Sequence, residues 1–434
     1  MSRRLSREVA FSCYWAVALV LLIAASYALW LPPEWTSTQE YPPVSMSGWL
    51  TPFGDWLGRV LLPLVGVAVL LVLSRRARLV RFGWAAISIV LLAAMAVDQH
   101  RLQPWAYQTV LYGVVFAAAW KTGPLPLIRG IAVSVYFFSA AGKFDYQFLH
   151  TVGQDFLVTA VSAFGGDATD WPISVRLWAA VCFPATEGVI ALLLMFPRSR
   201  RIGGVMVVGM HFTLIALLSP WGLGHSPGVL TWNAVLAGQA IGLFLLPASG
   251  GAVREPKAAS TSGTSADPSL SSLQLPRPTT YRLAVVLVAA VWLAPWSERW
   301  GWWDHWQSWA LYSPHNSRLD LQVHASHRDR LPESLRQSVM EDADGDHWHN
   351  VNLGKWSLLV RGVPILPQAR YQLGLTIRSA ERIEQASGND AAPLAVRGIL
   401  KSPSDRWTGR RQEQWLVGTA ELREAAEPYW LLPD

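Results

Sequence analysis

Residues 176–219 read RLWAAVCFPATEGVIALLLMFPRSRRIGGVMVVGMHFTLIALLS, two apolar runs joined by a turn that carries Arg198, Arg200 and Arg201. A helix needs roughly 20 apolar residues to cross the hydrocarbon layer, and each run has about that length. The pair therefore reads as a membrane hairpin whose basic turn stays on the cytoplasmic side. Each run also holds an ionisable residue near its middle, Glu187 in the first and His211 in the second. An acid or base at the bilayer centre costs at least about 2.5 kcal/mol on insertion scales, so both need partners. Measured from Ser199 in the turn, both lie roughly 18 Å deep on antiparallel helices. The spacing predicts that Glu187 and His211 meet near the midplane, as a proton relay or as polar glue between helices.

Outward from this hairpin the same pattern repeats. Apolar spans are predicted at 9–31, 56–74, 79–97, 105–120, 125–142, 176–197, 201–219, 228–247 and 281–296. The fourth is the weakest, being short and carrying Tyr107 and Gln108. The first, despite Arg3 and Arg4, is too long and uniformly apolar for a signal-peptide core and reads as an uncleaved span. A stretch near 156–165 has room only for an interfacial or re-entrant piece. The composition agrees: 51% of the 434 residues are hydrophobic and 15% charged, outside the usual range of soluble chains.

The net charge of +6 does not indicate a nucleic-acid partner, because the excess sits in short loops between apolar runs. With a cytoplasmic N-terminus, one side collects Arg3, Arg4, Arg7, Arg75, Arg76, Arg78, Arg81, Lys121, Arg129, Arg198, Arg200, Arg201, Arg254, Lys257, Arg277 and Arg282. The other, before the C-terminal region, has Arg59, Arg101, Lys143 and Arg176. That asymmetry predicts a multi-pass protein of a bacterial inner membrane, in contact with lipid, with its C-terminal domain periplasmic. Tryptophans near span ends, among them Trp30, Trp105, Trp171 and Trp221, read as interfacial anchors.

Residues 249–280 are rich in Ser, Pro, Ala and Thr and read as a disordered cytoplasmic linker. After the ninth span, WSERWGWWDHWQSWALYSP at 296–314 places five tryptophans from Trp300 to Trp309 where an outer aromatic belt and collar belong. Beyond it, SRLDLQVHA alternates as a half-buried strand; KWSLLVRGV, PLAVRGILK and QWLVGTAEL read as further strands, and 367–386 as a helix. The predicted fold is an all-α polytopic membrane bundle of about nine spans, eight within 1–248 and the ninth at 281–299. A soluble, mostly antiparallel α+β domain follows at 300–434.

Lys143 closes the fifth span in YFFSAAGKFDYQFLHTVGQDFL, with Asp145 two residues on, and is expected at the outer interface. A lysine there ordinarily snorkels to water; in a dry site it becomes a usable base. This segment resembles the lysine-bearing stretch of the vitamin K-dependent gamma-carboxylase family and the related HTTM (horizontally transferred transmembrane) domains. In those an aromatic pair precedes a small-residue turn, a lysine, an apolar residue and an aspartate. The pair matches Tyr136 and Phe137, and the lysine and acid match Lys143 and Asp145; Glu187 and His211 follow in the same order. The resemblance spans roughly residues 9–247. It implies a site at the outer ends of the helices in which Lys143 is the base that deprotonates a reduced quinone, with carboxylase- or epoxidase-like chemistry.

The loop SPWGLGHSPGVLTWN, between the seventh and eighth spans, offers Trp221, His225 and Asn233 as substrate-binding candidates beside Tyr136. EDADGDHWHN spaces Asp342, Asp344 and Asp346 like a calcium loop but lacks its closing glutamate, and reads as an exposed turn. Cys13 and Cys182 sit in apolar runs, and no HExxH, Walker loop or dinucleotide fingerprint occurs, so no metal site is predicted. Three functions fit these features: a pocket protein of the kind just described, acting on a quinol-like lipophile; a non-catalytic anchor presenting an extracytoplasmic domain to a protein partner; or a proton-linked transporter.

Overall fold

The computed structural model describes residues 6–36, 40–247, 278–342, 344–387, 393–429 and 432. In chain order its first helices are α1 (Arg7–Ala25), the short α2 (Tyr27–Trp30), α3 (Gly54–Leu73), α4 (Ala77–Val97), α5 (Pro104–Ala119) and α6 (Leu125–Lys143). Then come the short α7 (Tyr146–His150), α8 (Val152–Ser162), α9 (Ile173–Met195), α10 (Arg200–Leu218), α11 (Pro227–Ala240) and α12 (Thr279–Leu293). Among the described residues eight helices are long and apolar enough to cross a membrane, namely all of these except α2, α5, α7 and α8. The predicted linker lies outside the described residues except for its last three, of which Thr279 and Thr280 already open α12.

At 16 residues, α5 is shorter than α4 and α6, which flank it in the chain, and other helices wrap it on almost every side. Gln108, which weakened the fourth span in sequence, is completely buried and donates to Tyr112 Oη and Gln239 Oε1, 3.1 Å each. Trp232 Nε1 donates to Gln108 Oε1 at 3.2 Å, so the amide is satisfied inside the bundle. A short helix is tolerated at membrane depth when protein rather than lipid surrounds it. Around α5 the helices pack in hairpins: α3 on α4, α9 on α6 and α10, α10 on α11, and α12 across α5 and α6.

The first span breaks earlier than predicted. Ser26 Oγ donates to the carbonyl of Leu22 at 2.6 Å and accepts from Trp30 Nε1 at 3.1 Å, bonds that compete with continued helix. Trp30 and Trp105 are buried against each other at 5.3 Å rather than standing at an interface, whereas Trp221 is 95% exposed.

The C-terminal third contains a small antiparallel sheet in the order β2-β1-β3-β4, from β1 (Arg318–His324), β2 (Trp348–Val351), β3 (Val396–Lys401) and β4 (Glu413–Val417). Three helices longer than a single turn accompany it: α14 (Leu353–Arg361) after the brief α13 (Glu333–Arg336), α15 (Ala369–Ser387) and α16 (Gly418–Ala426). KWSLLVRGV is thus a helix, not a strand. Asn352 Oδ1 accepts from the Lys355 N–H as an N-cap, Trp356 and Val360 turn inward at helical spacing, and left-handed Gly362 ends the turn. QWLVGTAEL is half strand, because Gly418 at φ 77° turns the chain into α16.

This region is joined by a buried polar seam to the loops around Tyr41, between α2 and α3, and around Asp98, between α4 and α5. The Tyr41 ring lies 5.5 Å from His100 and 4.4 Å from Trp356, with the Arg361 guanidinium 5.1 Å above it. Arg361 also pairs with Asp98 at 3.4 Å, both nearly inaccessible. On the other flank Arg406 donates to the carbonyls of Ala141 and Phe144, at 2.8 Å each.

The tryptophan collar is not a uniform belt. Trp300 and Trp302 are exposed, but Trp309 is completely buried against Tyr107 at 5.2 Å, with Trp306 beside it in the core. Residues 304–316 dip into the bundle as a plug, and both Trp309 and Tyr312 sit at positive φ, 58° and 60°. Left-handed bulky residues are strained and persist only where packing over-determines them.

Candidate functional site

Tyr136, Ser139 and Lys143 are spaced three and four apart on α6 and so share one face. Lys143 is the last residue of that helix, where a cation favours the dipole. Its side chain does not snorkel outward: it runs back along the helix, 5% exposed, placing Nζ 2.6 Å from Ser139 Oγ and 2.5 Å from Glu187 Oε2. Ser139 accepts from the amine and donates to Glu187 Oε1 at 3.0 Å, closing a three-membered cluster. The predicted Glu187–His211 pair is accordingly replaced by a Lys143–Glu187 ion pair.

His211 is satisfied separately. Its Nδ1 lies 2.9 Å from Asn233 Oδ1, and the Asn233 amide donates to the Val229 carbonyl at 2.9 Å, which fixes which amide atom faces the ring. A carbonyl oxygen only accepts, so Nδ1 carries the proton. Nε2 then accepts from the Tyr136 hydroxyl at 3.1 Å.

Both clusters border one chamber of ≈340 Å³ with otherwise mostly apolar walls, including Phe156, Phe183, Met210 and Trp232. Leu311 and Tyr312, from the plug, help to close it. Burial pushes the Tyr312 hydroxyl well above its ordinary pKa, so it stays protonated. Thr186 on α9 and Thr213 on α10 line the chamber yet are exposed on the bundle surface, so the cavity reaches that surface between these two helices. By helical rise these threonines lie roughly 14 and 20 Å from the helix ends at Met195 and Arg200, well within the apolar length of the helices.

Lys143, Glu187, His211, Tyr136 and Asn233 are therefore brought together, and three other candidates are not. Asp145 caps α7 by accepting from the Gln147 N–H at 2.9 Å, while its other oxygen pairs with Arg299 at 2.9 Å, outside the chamber. Trp221 stands free at the surface. His225 lines a smaller neighbouring cavity of ≈190 Å³, edge-on to Tyr312 at 5.8 Å, and burial lowers its pKa. Sequence reasoning missed Ser139, which the three-four spacing from Tyr136 to Lys143 already signals. It also missed Leu311 and Tyr312, for which no local pattern exists, since only the folded plug delivers them.

Searches against models of known families, curated proteins and solved structures return no match.

Proposed function

We propose that this chain is an integral membrane protein of the HTTM and gamma-carboxylase-like type whose chamber takes a lipophilic molecule with an acidic O–H or C–H, such as a reduced quinone. The observation that carries this reading is a buried Lys143–Glu187–Ser139 cluster facing a mostly apolar chamber that opens sideways at membrane depth. Polar groups this costly to bury are retained in membranes chiefly for function. A guest's proton passes to the lysine–glutamate pair, which holds one acceptor position, and the anion left behind remains beside the cationic partner. Tyr136 and His211 orient the guest's oxygen by hydrogen bonding. The basic-residue asymmetry supports an N-terminus in the cytoplasm of a bacterium, with α5 counted as a ninth crossing and the C-terminal region periplasmic.

The anchor reading requires a C-terminal region that stands apart, and the buried seam through Asp98, Tyr41 and Arg361 weighs against it. Purified protein in lipid nanodiscs, incubated with reduced quinones of graded tail length, tests the proposal. With dissolved dioxygen supplied as the oxidant, wild type should consume them, and Lys143→Ala should be slower by about a hundredfold or more, the usual contribution of a positioned base. Equal turnover by both proteins removes the role given to Lys143.

A further inference from the structure

Outside the chamber, the plug is closed at its base by three side chains. Glu298 lies at the end of the extension of α12, His305 at the start of the plug and His315 at its end. Glu298 Oε1 is 2.7 Å from His305 Nδ1, and Oε2 is 3.0 Å from His315 Nε2. The two imidazole centroids are 4.8 Å apart with planes at 73°, so neither ring blocks the other's approach to a common point. One donor atom from each residue falls within 4.8 Å of the other two. Both histidines are almost fully buried, 3% and 1% exposed. The nearest basic side chain in sequence, Arg299, is turned to Asp145 and so does not compete for the carboxylate.

We propose that Glu298, His305 and His315 bind a divalent transition ion of the zinc class, which clamps the base of the plug that closes the chamber. Two imidazoles and one carboxylate are a donor set for zinc-class ions rather than calcium or magnesium, which take oxygen ligands. Around a tetrahedral ion with bonds of about 2.0–2.2 Å, neighbouring donor atoms stand roughly 3.3 Å apart. From the shared Glu298 Oε1 the nitrogens of His305 and His315 stand 2.7 and 3.2 Å away, so these edges open by at most about 0.6 Å, and the donor atoms, all within 4.8 Å of one another, close around the ion. Glu298 and His305 also border a polar cleft of ≈950 Å³ between the collar and the sheet, which supplies an entry path and room for a fourth ligand. Zinc-class ions bind imidazole in its neutral form, and the buried Glu298 carboxylate supplies a charge that a divalent ion compensates. The spacing, six residues between Glu298 and His305 and nine between the histidines, matches no familiar motif, which is why the sequence did not disclose it.

The test uses full-length protein purified without a histidine tag and treated with chelator. Titration with Zn²⁺, and with Co²⁺ followed by its visible absorption, should show one tight equivalent per chain, the tetrahedral cobalt bands, and a raised Tm. His305→Gln/His315→Gln should weaken that site by about a hundredfold or more, while the surface variant His324→Gln/His347→Gln leaves it unchanged. Absence of a tight equivalent in the wild type overturns the proposal even if the double variant fails to fold. So does its loss in the surface variant alone, or its full retention in His305→Gln/His315→Gln. None of these readouts depends on quinol turnover, so this site and the chamber stand or fall separately.

Discussion

Lys143 and Glu187 share one ion pair in a nearly dry place, and the energetics of such pairs are asymmetric. Removing one partner leaves an uncompensated buried charge and costs about 3–5 kcal/mol, whereas replacing both by apolar groups is often neutral. Lys143→Met and Glu187→Met should each lower the melting temperature markedly in detergent, and the double variant should recover most of the loss. Additive losses would mean that the two residues do not interact. His100 gives a second test. Its Nε2 donates to the Pro364 carbonyl at 3.1 Å, and burial, outweighing the attraction of Asp98, holds its pKa down at about 4. An unfolded chain takes up this proton near pH 6.5 and the folded one only near pH 4. Stability therefore falls as pH drops through that window, by up to about 3 kcal/mol. Melting curves between pH 7 and 4 should show a shallower fall for His100→Gln than for wild type, and identical slopes would refute the assignment.

Among the helices, α6 meets the plug at its C-terminal end. A Cβ on Gly142 would stand 3.1 Å from Ser313 Oγ and 3.6 Å from the Ala310 Cα, so the plug packs against bare backbone one residue before Lys143. Gly142→Leu should lift the plug at a cost of about 1–3 kcal/mol, as overpacking does. It should also speed the alkylation of a Leu311→Cys probe placed in a Cys13→Ser/Cys182→Ser background. Unchanged labelling would mean that the plug does not rest on this glycine. Elements differ in how far their sequences reveal them. The hairpin of α9 and α10 is plain because apolar length and a basic turn are local signals. α14 reads as a strand in sequence because KWSLLVRGV, in which five of nine residues are Trp, Leu or Val, satisfies either period, and only the Asn352 cap and the Gly362 stop separate them. Of the chamber, the α6 face was legible from spacing, but the partner of Glu187 was not. The choice between Lys143 and His211 depends on a lysine folding back along its own helix, which sequence does not encode locally.

At the level of the whole chain, the seam through Tyr41, Asp98, His100 and Arg361 makes the helices part of the C-terminal region's own interior. Residues 310–434 expressed alone should lack stable tertiary structure by near-ultraviolet circular dichroism and amide exchange, and a cooperatively folded fragment would restore the anchor reading. A reporter fused after Asp434 should be active only outside the cytoplasm. The gap marked by Thr186 and Thr213 has a thermodynamic corollary for any guest. A molecule that enters from between acyl chains is governed by its mole fraction in the bilayer, not by its molarity in buffer. Diluting proteoliposomes with empty vesicles that exchange lipid should empty the chamber, whereas adding buffer at constant lipid composition should leave its occupancy as it was.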